Sequence, residues 1–128
     1  MAFSVQNKLG SWGERLAEKR YLRDGYILVA RNIYNTKGKR LGEIDLIFRS
    51  DREIIFVEVK TRRQNRFGSA THAITKTKKQ RLVRATHWFL RIFPHYSELL
   101  PRIDLCAIDI DKSSVNVTII PHAVTLDY

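Results

Sequence analysis

The sequence predicts a mixed α/β fold, a sandwich around one sheet with elements in the order α-β-β-β-α-β-β. Two observations predict it. Two stretches carry apolar residues at helical spacing, and five shorter stretches are rich in β-branched and aromatic residues. Gly25 and Pro94 supply the punctuation between them. At 128 residues the chain reads as a single domain, 1–128, long enough to bury a core without a disulfide or metal staple.

Asn7 to Arg23 is the first helix, with Leu9, Trp12 and Leu16 at i, i+3, i+7 forming one apolar face and Gly25 as the C-terminal cap. Tyr26 to Ile33 is the first strand, and Asn35 to Arg40 a polar, basic loop. Glu43 to Arg49 and Glu53 to Thr61 are paired strands around a turn at Asp51-Arg52. Phe67 to Thr75 is an irregular connection. Lys76 to Phe93 is the second helix, its stripe made of Leu82, Thr86, Phe89, Leu90 and Phe93, with Lys78, Arg81 and Arg84 pointing elsewhere; Pro94 ends it. Arg102 to Ile110 and Val115 to Ile120 complete the strands.

Charge is distributed unevenly. The formal net charge is +10, yet the ten Lys and Arg residues between Val59 and Ser97 stand without a single acid, while the remainder is balanced at 13 basic and 13 acidic residues. A solvated basic surface is the bland reading. Such clustering favours a polyanion, nucleic acid first, with phosphates met by Arg62, Arg63, Arg66, Lys78, Lys79 and Arg81. Met1 to Leu9 has no apolar run of the signal-peptide kind, and no stretch reaches the length of a membrane helix. Cys106 is the only cysteine, which excludes a disulfide framework and a cysteine zinc cluster. A cytoplasmic location is expected by elimination, with no membrane partner.

The chemistry is concentrated in Gly42-Glu43-Ile44-Asp45-Leu46-Ile47 and Phe56-Val57-Glu58-Val59-Lys60-Thr61-Arg62. Alternation puts Glu58 and Lys60 on one face of their strand. A two-residue turn at Asp51-Arg52 pairs Ser50 with Glu53, and counting back sets Asp45 opposite Glu58. A slip of one residue would separate them onto opposite faces. Two facing carboxylates repel unless a cation lies between them. Hard oxygen ligands without His or Cys suit Mg²⁺ or Mn²⁺, and the Val59 carbonyl could add another oxygen. Lys60 would reach the same place, where it could polarise an attacking water and stabilise the charge of a phosphodiester transition state. Glu-X-Lys on a strand is more often a surface ion pair of little value. Here the charges interrupt apolar strands, where they are costly unless they pair or bind something. A structural salt bridge between Asp45 and Lys60 is the main competing reading.

Four ordered segments carry a resemblance: Gly13-Glu14-Arg15-Leu16-Ala17, the two strand segments above, and Lys79-Gln80. They resemble the motifs of the YraN-like family, an uncharacterised family of predicted endonucleases, from about Leu9 to Ile110. More distantly the chain is similar to archaeal Holliday-junction resolvases and the PD-(D/E)xK nucleases. The resemblance implies a restriction-endonuclease-like fold, with Asp45 and Glu58 as metal ligands and Lys60 as the catalytic lysine. It also implies Glu14 as a further acid near the metal and Gln80 as a residue of the site. Two positions depart from the pattern. Thr36 to Leu41 looks longer than the usual loop, and Ile44-Asp45 stands where the superfamily has Pro-Asp.

Other residues read more plainly. Glu14 falls about 200° round the helix from Trp12 and could be a solvated acid. Glu43 could assist the metal or pair with Arg40. Asp104 is expected to make a structural polar contact, Cys106 to be a small buried residue, and Trp88 to be packing. His72, His87, His95 and His122 lack zinc spacing.

The expected function is therefore a Mg²⁺- or Mn²⁺-dependent endonuclease acting on DNA, branched or repair intermediates included, with a homodimer compatible with the reading. The alternatives are a nucleic-acid-binding module with little or no catalysis, and a structural interaction protein whose acids form a salt-bridge network.

Overall fold

A computed structural model describes residues 8–34, 43–63 and 74–126. Its elements are α1 (Lys8–Arg23), β1 (Ile27–Tyr34), β2 (Glu43–Arg49), β3 (Glu53–Arg63), α2 (Lys76–Ile92), a 3-10 turn (Pro94–Tyr96), β4 (Leu100–Ile110) and β5 (Val115–Val124). The expected order α-β-β-β-α-β-β is observed. The basic loop at 35–40, most of the connection before α2, and Arg66 lie outside the described residues.

The strands form one sheet in the order β1-β2-β3-β4-β5. Consecutive strands pair antiparallel except β3 and β4, which run parallel because the chain crosses over through α2 between them. This mixed sheet, with a helix on each face, is consistent with the restriction-endonuclease-like arrangement that the resemblance implies. Alternation along the strands divides the core in two. Leu46, Phe48, Ile55, Val57, Cys106 and Ile108 meet Ala17 and Tyr21 of α1. Ile47, Ile54, Phe56 and Ile103 meet Leu82, Ala85 and Phe89 of α2. The central strands β3 and β4 are thus covered on both faces, which is why both read as continuous apolar runs.

The helix ends follow their local chemistry. At the end of α1, Gly25 takes φ 96°, its N–H donates to Leu22 O at 3.1 Å, and the Tyr26 N–H reaches back to Tyr21 O at 3.1 Å. This is the glycine-terminated pair of bonds expected at a helix C-terminus. Thr75 caps α2 through its hydroxyl, which accepts the Lys78 N–H at 3.2 Å.

Three strands run two or more residues further than the sequence predicts, and β4 does so by starting at Leu100. β3 continues to Arg63 because parallel pairing with β4 extends to Arg63↔Ile110. β5 continues past Pro121 to Val124. An edge strand tolerates a proline, and a register shift between Ile103 and Leu105 absorbs the irregularity. His122 sits there at φ 53° and donates its N–H to Asp104 Oδ1 at 3.2 Å.

Asp104 is the structural polar residue expected. It is fully buried and accepts the Tyr21 hydroxyl at 2.7 Å and the Arg102 guanidinium at 2.8 and 2.9 Å. Arg102 extends this chain to Glu53 at 3.1 Å. A buried carboxylate satisfied from three sides ties α1, β4 and β5 together. Cys106 is buried as expected, its thiol pushed up to about 12 by desolvation. Trp88 packs at the border of the α2 core.

Candidate active site

The β2–β3 hairpin fixes the two central acids. Ser50 N–H donates to Glu53 O at 2.9 Å across the Asp51-Arg52 turn, and the register runs Arg49↔Ile54, Phe48↔Ile55, Ile47↔Phe56, Leu46↔Val57. This is the register the turn predicts, and the pairing ends at Leu46↔Val57, one residue short of Asp45 and Glu58. Past that point Asp45 turns its carboxylate onto the next strand, accepting the Val59 N–H at 2.8 Å. Val59 thus touches Asp45 through its N–H.

Parity puts Glu58 and Lys60 on the face that Phe56 shares with α2. There they line a cleft of ≈ 270 Å³ with Ile74, Thr75, Lys78 and Leu105. Glu58 is largely buried and receives Lys78 Nζ at 3.1 Å on Oε1. Lys78 corrects the sequence reading. It was expected to point away from the apolar stripe with Arg81 and Arg84. Instead it lies one turn before buried Leu82 on the same helical face, and so enters the cleft. That spacing was the signal available in the sequence.

The electrostatics describe acids forced together. Burial first, then the charge of Asp45, pushes the Glu58 carboxyl well above the ordinary range, with Lys78 opposing. Burial likewise raises Asp45, against the Val59 N–H and Lys78. Glu14 on α1 is pushed up to about 7 by burial, then by Asp45 and Glu43. It is half-buried, and α1 carries it into the field of Asp45 and Glu43. What brings α1 so close is Gly13, where a Cβ would lie 1.8 Å from the Thr61 hydroxyl oxygen on β3. The Thr61 hydroxyl is itself buried and has no hydrogen-bond partner among the described residues.

Carboxylates whose pKa values are raised by burial and by neighbouring acids, in a cleft whose described lining holds no His or Cys, make a donor set suited to a hard divalent ion. Among the described residues, no three His, Cys, Asp or Glu side chains gather closely enough to hold an ion between them. Glu14 therefore does not complete a three-acid cluster with Asp45 and Glu58. The pair alone fits Mg²⁺, which is commonly held by one or two carboxylates with water and phosphate in the remaining positions.

The other expected site residues are dispersed. Gln80 is exposed, two residues and about 200° round α2 from Lys78. It lines a separate groove with Lys79, Val83, Arg84 and the end of β5. Arg62 pairs with its cross-strand neighbour Asp109 at 3.4 Å. Arg63, Lys79 and Arg81 are exposed.

The family model described as "Uncharacterised protein family UPF0102" matches residues 13–108, from Gly13 to Ile108, and so spans every acid and lysine of the cleft. The chain belongs to UPF0102. This is the YraN-like family to which the four motifs point. A UPF0102 protein of Syntrophomonas wolfei is 37% identical over 88% of this chain and 95% of its own length. One from Roseiflexus castenholzii is 37% identical over 93% of this chain and 94% of its own. Another from Saccharophagus degradans is 40% identical over 80% and 83%. The matched residues begin within α1 and end within β4. Among the described residues no helix is long and apolar enough to cross a membrane.

Proposed function

We propose that the chain is a Mg²⁺- or Mn²⁺-dependent nuclease that hydrolyses phosphodiester bonds in DNA. One observation carries the reading: Asp45 is hydrogen-bonded at 2.8 Å to the backbone of Val59, next to Glu58, its charge acts on Glu58, both carboxyls are raised, and Lys60 lines the Glu58 cleft. Burying two interacting acids in one place is costly and contributes nothing to the core. It is explained by a cation that the pair is built to receive.

In this reading Asp45 and Glu58 hold the ion, with Asp45 fixed in orientation by the Val59 N–H. The bound ion would supply an acidified water and neutralise the scissile phosphate. Lys60 donates hydrogen bonds to the water or to the phosphate oxygens and stabilises charge as it develops. Glu14 adds negative field that favours a cation. The exposed cations Arg63, Lys79 and Arg81 hold flanking phosphates, and the acid-free surface of α2 provides the attraction.

The Glu58–Lys78 ion pair favours a second reading, a structural salt-bridge network on the same fold. A cleavage panel separates them: duplex, single-stranded and branched DNA with Mg²⁺ or Mn²⁺, comparing the wild-type chain with Asp45→Asn. Metal-dependent cleavage abolished by Asp45→Asn supports the nuclease. Wild-type protein inert on every substrate with either metal, yet binding DNA, supports a binding module. Neither cleavage nor DNA binding leaves the salt-bridge network.

A further inference from the structure

Among the residues of the cleft, Lys78 pairs with Glu58, one of the two acids that would hold a metal. Its Nζ lies 3.1 Å from Glu58 Oε1, and its charge acts on Asp45 as well. A dication held by Asp45 and Glu58 would compete for the same lone pairs and would be repelled by an ammonium beside them. The backbone of Lys78 is fixed, since its N–H is bonded to the capping Thr75 hydroxyl. The side chain is not confined in the same way. It is 46% exposed, on a long flexible stem that can swing toward solvent without disturbing α2.

We propose that Lys78 is a tethered counter-ion for Glu58 in the metal-free protein, that a divalent cation displaces it, and that the freed ammonium then contacts a substrate phosphate in the same cleft. The inference rests on the metal-dependent reading above and deepens it. Lys78 and Lys60 line one cleft, so a phosphate entering it meets both. Metal and nucleic acid then bind cooperatively. Metal releases a phosphate ligand, and phosphate keeps that ligand off Glu58; by linkage the two effects are equal in size.

The test is Mn²⁺ binding measured by calorimetry on the full chain, for wild type, Lys78→Met and Lys79→Met, with melting curves to verify folding. Lys79 is exposed on the same turn of α2, so its variant removes the same charge without removing Glu58's partner. Lys78→Met is expected to tighten Mn²⁺ binding roughly tenfold, as loss of a close competing charge should. Lys79→Met, acting only through the screened general field, should change it by less than about twofold. A duplex oligonucleotide should tighten Mn²⁺ binding in wild type more than in Lys78→Met. Equal effects of the two variants would reduce Lys78 to net charge and overturn the proposal, and so would weaker binding by Lys78→Met. Wild-type binding that Lys78→Met leaves unchanged overturns the displacement alone and leaves the metal-dependent reading standing. No Mn²⁺ binding by any of the three proteins removes both.

Discussion

Lys60 is the side chain whose removal separates chemistry from binding. It lines the cleft beside Glu58 without being one of the carboxylates. If its charge acts mainly on the transition state, Lys60→Ala keeps its metal and DNA affinity while cleavage falls by roughly 10²-fold or more. Should Lys60 be instead the structural partner of Asp45, the variant loses about 3–5 kcal/mol of stability and its metal affinity shifts as well. Melting temperature, metal affinity and cleavage rate on that one protein decide between these outcomes. Much at this scale was legible in the sequence. Strand alternation and the two-residue turn were enough to give the β2–β3 register as far as Leu46↔Val57 and to put Lys60 on the face of Glu58. Lys78 was misread because its charge argued for solvent, while its spacing from Leu82 argued for the core side. A long stem at a helix end lets a charged residue follow the spacing. The Arg62–Asp109 pair was missed because it depends on parallel register with a strand 47 residues away, which no local pattern encodes.

The docking of α1 on β3 depends on Gly13. Within an exposed helix, Gly→Ala normally stabilises by about 1 kcal/mol. Here the sign reverses, because the added methyl would meet the Thr61 hydroxyl at 1.8 Å on a central strand. Gly13→Ala should cost about 1–3 kcal/mol, as overpacking does, and should lift Glu14 away from the pair. Denaturant melts of Gly13→Ala and of Gly13→Ala with Thr61→Ala check this. Partial recovery of stability in the double variant identifies the collision as the cause, and an unchanged or raised stability in the single variant refutes it. Both helices, and the hairpin most accurately of all, were readable from periodicity and caps. The ends of β3 and β5 were not. One is set by pairing with β4, and the other survives a proline only because β5 is an edge strand whose bulge is held by Asp104.

Over the molecule as a whole, two fields oppose each other: a few half-buried acids on α1, β2 and β3, and a wide basic surface. The raised carboxyls give the first a pH signature. Folded Glu14, Asp45 and Glu58 hold protons up to higher pH than the same groups in the unfolded chain. Between the ordinary carboxylate range and about 7, the folded state thus binds more protons, and stability falls as pH rises. Metal-free protein should melt higher at about pH 5 than at about pH 7.5, and saturating Mn²⁺ should shrink or invert that difference by stabilising the ionised pair. A melting temperature that climbs across this window without metal would contradict the raised carboxyls. The basic surface has its own signature in salt. Duplex affinity should fall with a log–log slope of about −0.9 per phosphate neutralised, and each of Arg63→Ala, Lys79→Ala and Arg81→Ala should flatten it by about one contact. A slope near zero would remove electrostatic DNA binding. The charge asymmetry behind this was fully visible in the sequence, whereas the opposing group of acids emerges only when α1, β2 and β3 are brought together.

The most direct test of the carboxylate pair as a metal site is a calorimetric titration of Mn²⁺ into wild type and Asp45→Asn. The substitution preserves shape and leaves an oxygen to accept the Val59 N–H, so it changes the charge of the pair and little else. Wild type should bind Mn²⁺, and Asp45→Asn should lose most of that affinity while melting, metal-free, at or above the wild-type temperature, because the repulsion with Glu58 is gone. Mn²⁺ affinity that is the same in both proteins would contradict the site.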